Sequence, residues 1–91
     1  MAKKIVVKII DKMGLHARPA SFLMDVACKY QSDSVIAYDY EETDLKSFSD
    51  LMRLNVPYQQ VCELIVRGSD EEAAMEEMKE VIVDHKIGEI L

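Results

Sequence analysis

The sequence predicts an α+β domain of two layers, in which three helices cover one face of a four-stranded, mainly antiparallel sheet. Segments rich in β-branched residues alternate with segments whose apolar residues recur every three or four positions, in the order β-α-β-β-α-β-α. The link between the second and third strands is short enough for a hairpin, and a hairpin pairs its strands antiparallel. With 91 residues, the chain is expected to form one domain over residues 1–91.

The first half of the chain predicts three strands and one helix. KKIVVKII (Lys3–Ile10) is typical of a strand, and DKMG then turns the chain. A helix is predicted from Ala17 to about Tyr30, because its apolar residues fall on one helical face. Those residues are Ala20, Leu23, Ala27 and Tyr30. VIAYDY (Val35–Tyr40) predicts the second strand, and EETDL (41–45) predicts a short third strand after a tight turn.

The second half of the chain predicts two helices and one strand. Ser47, followed by Asp50, has the spacing of a capping box and predicts a short helix over SFSDLMRL. VCELIV (Val61–Val66) predicts the fourth strand. Ser69 and Glu72 predict a second capping box, which opens the last helix. The apolar face of that helix is expected to comprise Ala74, Met78, Val81, Ile82 and His85.

Composition argues against several classes of function. The net charge of −6 argues against binding to nucleic acid, and no run of 18 apolar residues suggests membrane insertion. Cys28 and Cys62 lie far apart and lack a C-x-x-C pattern, so they are expected to be buried, reduced thiols of a cytoplasmic protein. His85 is the only histidine besides His16, and no cluster of Cys and His predicts a metal or a cofactor.

The segment GLHARPA, residues 14–20, contains the candidate reactive group. Pro19 is tolerated only in the first turn of a helix, so His16 is expected at or just before the N-cap. Unpaired N–H groups and the helix dipole favour an anion there, and the guanidinium of Arg18 suits phosphate. The same positive field favours a neutral, nucleophilic imidazole. On spacing alone, a capping or surface histidine and a solvated arginine are the more common interpretations.

GLHARPA resembles the active-site signature of the histidine-containing phosphocarrier protein (HPr) family of the bacterial sugar phosphotransferase system. DLKSFSDLMRLNV (44–56) is similar to the family's regulatory-serine segment, and Ser47 follows His16 at the family's spacing. The resemblance implies an open-faced sandwich in which His16 accepts a phosphoryl group from phosphorylated Enzyme I. Phosphoenolpyruvate is its source, and sugar-permease A components receive it. Arg18 would stabilise the phosphoryl group, and the protein would be a carrier rather than an enzyme.

The resemblance also implies regulation and a docking surface. Ser47 would be the target of an HPr kinase, although a helix-capping hydroxyl is the simpler interpretation. Phe48 and Met52, with Ala20 and Leu54, would form an apolar patch that contacts partners, although Phe48 and Met52 fit a core position equally well. A monomer that docks transiently is expected.

Three positions depart from the family's pattern. Ser49 stands where methionine is common, and both Asp50 and Asn55 stand where glycine is common. These departures bear on the choice of partner, and Ser49 is a second possible target of a kinase. Two alternatives stay open, a regulatory adaptor that acts when Ser47 is phosphorylated and a nitrogen-type relay with the same chemistry. The presence of His16 favours a carrier over the adaptor.

Overall fold

The computed structural model describes residues 2–91, so Met1 of the predicted domain 1–91 lies outside the described residues. Over this range the chain forms five strands and three helices. They are β1 (Ala2–Ile9), α1 (Ala17–Lys29), β2 (Asp33–Tyr38), β3 (Glu41–Asp44), α2 (Phe48–Leu54), β4 (Val61–Arg67), α3 (Glu71–Asp84) and β5 (Gly88–Ile90). The predicted α+β sandwich is confirmed, with one strand more than expected.

The sheet is antiparallel throughout, with the strand order β3-β2-β4-β1-β5. Strand β4 and the second half of β1 alternate between buried and more exposed residues, so one face of the sheet carries the core. Val7 and Ile9 of β1 are buried on this face. From β4 the buried residues are Cys62, Leu64 and Val66. The helices cover this face, and β1, which lies between β4 and the edge strand β5, leads to the start of α1.

The buried face of α1 is the predicted one, with one correction concerning its cysteine. Ala20, Leu23 and Ala27 are buried, as their spacing predicts. Cys28 is exposed rather than buried, because the residue after Ala27 is turned about 100° around the helix, away from the sheet. Cys62 is buried as predicted, and this burial raises the pKa of its thiol to about 12.

Neither predicted capping box forms. Ser47 is the N-cap of α2, but its side chain makes no capping hydrogen bond, and Asp50 pairs instead with Arg53 at 2.7 Å. The last helix begins later than predicted, with Asp70 rather than Ser69 as its N-cap. Glu71, the first residue of α3, accepts a hydrogen bond from the Gly68 amide at 3.1 Å. The carboxylate of Asp70 binds the loop before β2 and does not cap its own helix.

The fifth strand was not predicted, because three residues are too few to show alternation and glycine is unfavourable in strands. Gly88 pairs with Ile9 in β5, and a Cβ at Gly88 would lie 2.4 Å from Cγ1 of Val7. Only glycine therefore allows β5 to approach β1 this closely. Because Gly88 pairs with the last residue of β1, β5 brings the end of α3 close to the loop that leads into α1.

Candidate functional site

The loop between β1 and α1 is held in place by backbone hydrogen bonds. The Gly14 amide donates to the carbonyl of Asp11 at 2.8 Å, and the Leu15 amide donates to the carbonyl of Val56 at 2.8 Å. Gly14 has a φ of +72°, and a Cβ there would lie 2.6 Å from the Val56 carbonyl oxygen. Leu15 is fully buried. This loop therefore presents the next residue, His16, from a fixed backbone.

His16 is the N-cap of α1, as predicted. Its backbone is extended, with φ −79° and ψ −171°, and its carbonyl accepts the Ala20 amide at 3.0 Å. The ring makes no capping hydrogen bond. Pro19 is buried in the first turn, where its missing N–H costs nothing. The amides of Ala17 and Arg18 have no acceptor inside the helix, so both are available to an anion.

The carboxylate of Asp11 orients the ring of His16. Nε2 of His16 lies 3.3 Å from Oδ2 of Asp11, and the histidine side chain is 32% exposed. Oδ1 of Asp11 accepts the Met13 amide at 3.0 Å. This bond from Met13, together with the hydrogen bond and charge of His16, lowers the pKa of Asp11, although partial desolvation opposes the shift. An ionised Asp11 can only accept a hydrogen bond, so it favours the N–H on Nε2, and in the neutral ring this leaves Nδ1 without a proton.

The sequence does not predict the role of Asp11. Its only signal is the turn DKMG, in which an aspartate can accept the amide two residues later. That turn fixes one carboxylate oxygen on Met13 and leaves the other facing His16. The distance of five residues between Asp11 and His16 fits no helix or strand period, so the pairing depends on the loop geometry.

Arg18 lies with His16 along one shallow groove of about 330 Å³. The residues that line the groove are Asp11, Met13, His16, Arg18, Pro19, Phe22, His85 and Ile87. Arg18 is exposed, and its guanidinium forms no ion pair with any residue from 2 to 91. The groove thus combines an oriented imidazole and an unpaired guanidinium at the helix end whose first amides are open, which is a suitable environment for a phosphoryl group.

Of the residues predicted to contact partners, three lie at the surface and one does not. Phe48 is 38% exposed, and Met52 and Leu54 are half-buried against the core. Ala20 is completely buried, so its assignment to a docking surface is wrong. It occupies the helix face that also carries Leu23, which packs on the sheet.

The two serines of the α2 segment differ in environment. Ser47 is half-buried at the N-cap and has a hydroxyl free of capping bonds, whereas Ser49 is exposed in the first turn. Asn55, one of the departures noted in the sequence, ends α2 in the left-handed conformation with φ +48°. Asparagine tolerates this conformation, so the replacement of glycine there leaves the helix end intact.

The fold and the groove together define a class, the small phosphocarrier domains of the phosphotransferase system. The family model described as "PTS HPr component phosphorylation site" matches residues 3–84. The chain therefore belongs to the HPr family.

Individual relatives agree with this assignment. Phosphocarrier protein HPr of Mycoplasma pneumoniae is 34% identical over 86 residues, which are 93% of this chain and 98% of the relative. The solved structure of a Mycoplasma histidine-containing phosphocarrier protein matches with a TM-score of 0.92 at 30% identity, covering 96% of this chain and 99% of the other. HPr of Thermoanaerobacter tengcongensis matches with a TM-score of 0.82 at 34% identity, covering 88% and 90%.

Two further features of the described chain bear on function. Within residues 2–91, no helix is both long and apolar enough to cross a membrane. The same residues contain no group of three or more metal-ligating side chains. The role of this family is to carry phosphoryl groups within the phosphotransferase system.

Proposed function

We propose that Nδ1 of His16 accepts a phosphoryl group from phosphorylated Enzyme I and passes it to the A components of sugar permeases. The observation that carries this proposal is the contact between Nε2 of His16 and Asp11 at the N-cap of α1. It directs the unprotonated ring nitrogen away from the carboxylate. Because the ring is partly exposed, a partner's phosphoryl group can reach it.

The transfer requires little from the protein beyond position and charge. The lone pair of Nδ1 attacks phosphorus, a P–N bond forms, and the bond between phosphorus and the donor breaks with its electron pair left on the donor. The ring gains positive charge, which the Asp11 carboxylate offsets through Nε2–H. The phosphoryl oxygens meet the amides of Ala17 and Arg18 and the guanidinium of Arg18. When an acceptor attacks, the P–N electron pair returns to Nδ1.

In this proposal the protein is a carrier that each cycle regenerates, rather than an enzyme. It docks as a monomer on one partner at a time, and no metal or cofactor takes part in the transfer. We place the relay in the cytoplasm, because Cys28 and Cys62 are both free thiols, as is usual in a reducing compartment.

Incubation with phosphoenolpyruvate and Enzyme I tests the acceptor. The wild-type protein should gain one phosphoryl group that is labile in acid and stable in base, and His16→Ala should gain none. Ser47→Ala is the matched control, since it removes the other proposed phosphorylation site and should be labelled as the wild type is. A phosphate that survives acid, or that also appears on His16→Ala, would refute the assignment.

We also propose that Ser47 is the site of regulatory phosphorylation by an HPr kinase. Its hydroxyl has no capping bond to lose, and it lies beside the exposed ring of Phe48. Phe48, Met52 and Leu54 form the docking surface in this proposal. A phosphate on Ser47 would add charge at the edge of this apolar surface, which makes docking less favourable without requiring α2 to unfold.

The kinase site is tested with HPr kinase and ATP. Ser47→Ala should lose the label, and Ser49→Ala, the matched variant two residues away, should keep it. Phosphorylated wild-type protein should then accept phosphoryl groups from Enzyme I more slowly than the unmodified protein. If Ser49→Ala loses the label and Ser47→Ala keeps it, the kinase acts on the exposed serine and the assignment of Ser47 is wrong.

A further inference from the structure

We propose that His85 binds the phosphoryl group carried by His16 and prolongs its lifetime, an inference that rests on the proposed function. His85 lies at the C-cap of α3, far from His16 in the sequence. Both side chains nevertheless line the groove of about 330 Å³ that also contains Arg18. The groove therefore presents a second imidazole to any group that His16 carries.

The ring of His85 is held in position by its neighbours. It stacks on Phe22, with ring centroids 4.0 Å apart and an interplanar angle of 16°. Its backbone is held as well, because its amide donates to Val81 at 3.0 Å and the Ile87 amide donates to Ile82 at 2.9 Å. A ring fixed in this way loses little entropy when it binds a ligand.

His85 is exposed, and its side chain lines the groove. The stack occupies a face of the ring, whereas the nitrogens lie at its edge. No residue from 2 to 91 forms a hydrogen bond or an ion pair with this side chain. The ring is therefore positioned by its stack on Phe22 but has no hydrogen-bond partner among the described residues, as expected of a group that binds something transient.

The charges around His85 favour its role as a donor to an anion. The C-terminal end of a helix stabilises cations, and His85 lies at that end of the 14-residue helix α3. In the groove the charged and titratable groups are Arg18, His16 and Asp11, and the carboxylate is already bound to Met13 and His16. On the chain its neighbours are Asp84 and Lys86, whose charges oppose one another.

The two imidazoles thus lie at opposite helix ends with complementary tasks. His16 lies at the N-terminal end of α1 and provides the attacking nitrogen, and His85 lies at the C-terminal end of α3 and provides an N–H donor. The N–H of His85 would donate to a phosphoryl oxygen after transfer, in addition to the contacts from Arg18. No covalent bond to His85 is involved.

The lifetime of the phosphorylated protein tests this role. After phosphorylation by Enzyme I and removal of the donor, the half-life of phospho-His16 should be at least about 5-fold shorter in His85→Phe than in the wild type. Phenylalanine keeps the stack on Phe22 but has no N–H. His85→Gln should recover part of the lifetime, because its amide can donate. Lys86→Gln is the matched control for lost charge, since Lys86 does not line the groove.

The nitrogen-15 chemical shifts of the imidazole rings distinguish phosphoryl binding by His85 from a purely structural role, which would leave them unchanged. The ring resonances of His85 should shift when His16 is phosphorylated, in the wild type and in Lys86→Gln alike. Equal half-lives in His85→Phe and wild type, or His85 resonances that stay in place, would overturn the proposal.

A titration with inorganic phosphate separates this inference from the proposed function. If Enzyme I never labels His16, the proposed function fails, but unphosphorylated protein still reports on the groove. Phosphate should shift the His85 ring resonances and should bind at least about 3-fold more weakly to His85→Phe. The same affinity in both proteins would refute a role for His85 in phosphoryl binding.

Discussion

At the scale of single residues, the orientation of the His16 imidazole decides which nitrogen would react in the proposed transfer. Asp11 uses one oxygen for the Met13 amide and the other for Nε2 of His16. A carboxylate can only accept hydrogen bonds, so in the neutral ring Nε2 carries the proton and Nδ1 holds the lone pair. The contact therefore selects the tautomer, in addition to positioning the ring.

Asp11→Asn tests this selection. Asparagine keeps the bond to the Met13 amide through its carbonyl oxygen, but its NH2 group then faces Nε2 and favours the tautomer protonated on Nδ1. Phosphorylation by Enzyme I should slow by at least about 10-fold, while the thermal midpoint stays near that of the wild type. Stopped-flow or quenched-flow transfer rates give the measurement, with Asp25→Asn on the exposed side of α1 as control. A wild-type rate in Asp11→Asn would show that Asp11 does not set the tautomer.

The sequence predicts part of this site and omits the rest for identifiable reasons. Pro19 fixes the start of α1, so the order of residues alone places His16 and Arg18 beside a helix terminus. Asp11 and His85 reach the groove through a loop and through the end of a distant helix, and no local period connects them to His16. Ala20 was assigned to the docking patch by the family resemblance, although its place on the apolar face of α1 already predicts its burial.

At the scale of elements, the hairpin between β2 and β3 shows how a local rule was overridden. The sequence predicts that the second strand extends to Tyr40, since VIAYDY is rich in strand-forming residues. The strand instead ends at Tyr38, and Asp39 and Tyr40 form the turn with φ values of 52° and 67°. Two consecutive positive φ values are typical of the tight turn that matches strand twist, which normally has glycine second.

Tyr40→Gly should therefore stabilise the protein. Tyr40 is fully exposed, so its ring has no packing to lose, and glycine removes the cost of the left-handed conformation. The free energy of unfolding in urea should rise by about 1 kcal/mol. Tyr40→Ala is the matched control, because it removes the ring but keeps Cβ, and it should give no gain. Equal effects of glycine and alanine would mean that the backbone conformation is not the cause.

Alternation and helical periodicity were reliable for the longer elements and failed at their ends. The buried residues of α1 and the core residues of β4 follow their predicted periods, because one face of each packs on a shared core. Helix starts were less predictable. Ser69 has the sequence of a cap, yet Asp70 precedes α3, since tertiary contacts to the loop before β2 determine where its carboxylate lies.

At the scale of the whole molecule, α3 connects to the chain near the end of α1 through two carboxylates. Asp70 accepts the amides of Gln31 and Ser32, each at 2.9 Å, and also the Ser32 hydroxyl. Further along α3, Glu77 accepts a hydrogen bond from the hydroxyl of Tyr30 at 2.6 Å and forms an ion pair with Lys29. These contacts hold α1 and α3 side by side, and the groove at the other end of these helices depends on that arrangement.

The contribution of Asp70 to stability should disappear in acid. The hydrogen bond from the Ser32 hydroxyl, with those from the backbone amides, lowers the pKa of Asp70 below its ordinary value of 3.8. A carboxyl group with a lower pKa in the folded state than in the unfolded state stabilises the protein at any pH above the unfolded-state pKa. That stabilisation is lost as the pH falls through the folded-state pKa. Asp70→Asn should therefore unfold at lower urea concentration than the wild type at pH 7, and the difference should shrink as the pH falls below 3.8.

The variant Ser32→Ala separates the contribution of the Ser32 hydroxyl from that of the charge of Asp70. It removes one donor and keeps the carboxylate with its two amide bonds, so its deficit at pH 7 should also shrink in acid, but from a smaller starting value. The double variant should lose less unfolding free energy than the two single variants lose together, because both substitutions act on one cluster of hydrogen bonds. Urea midpoints and slopes for the four proteins at pH 7 and pH 3 give the test. A deficit of Asp70→Asn that is the same at both pH values would show that ionisation of Asp70 does not hold α3 to the loop.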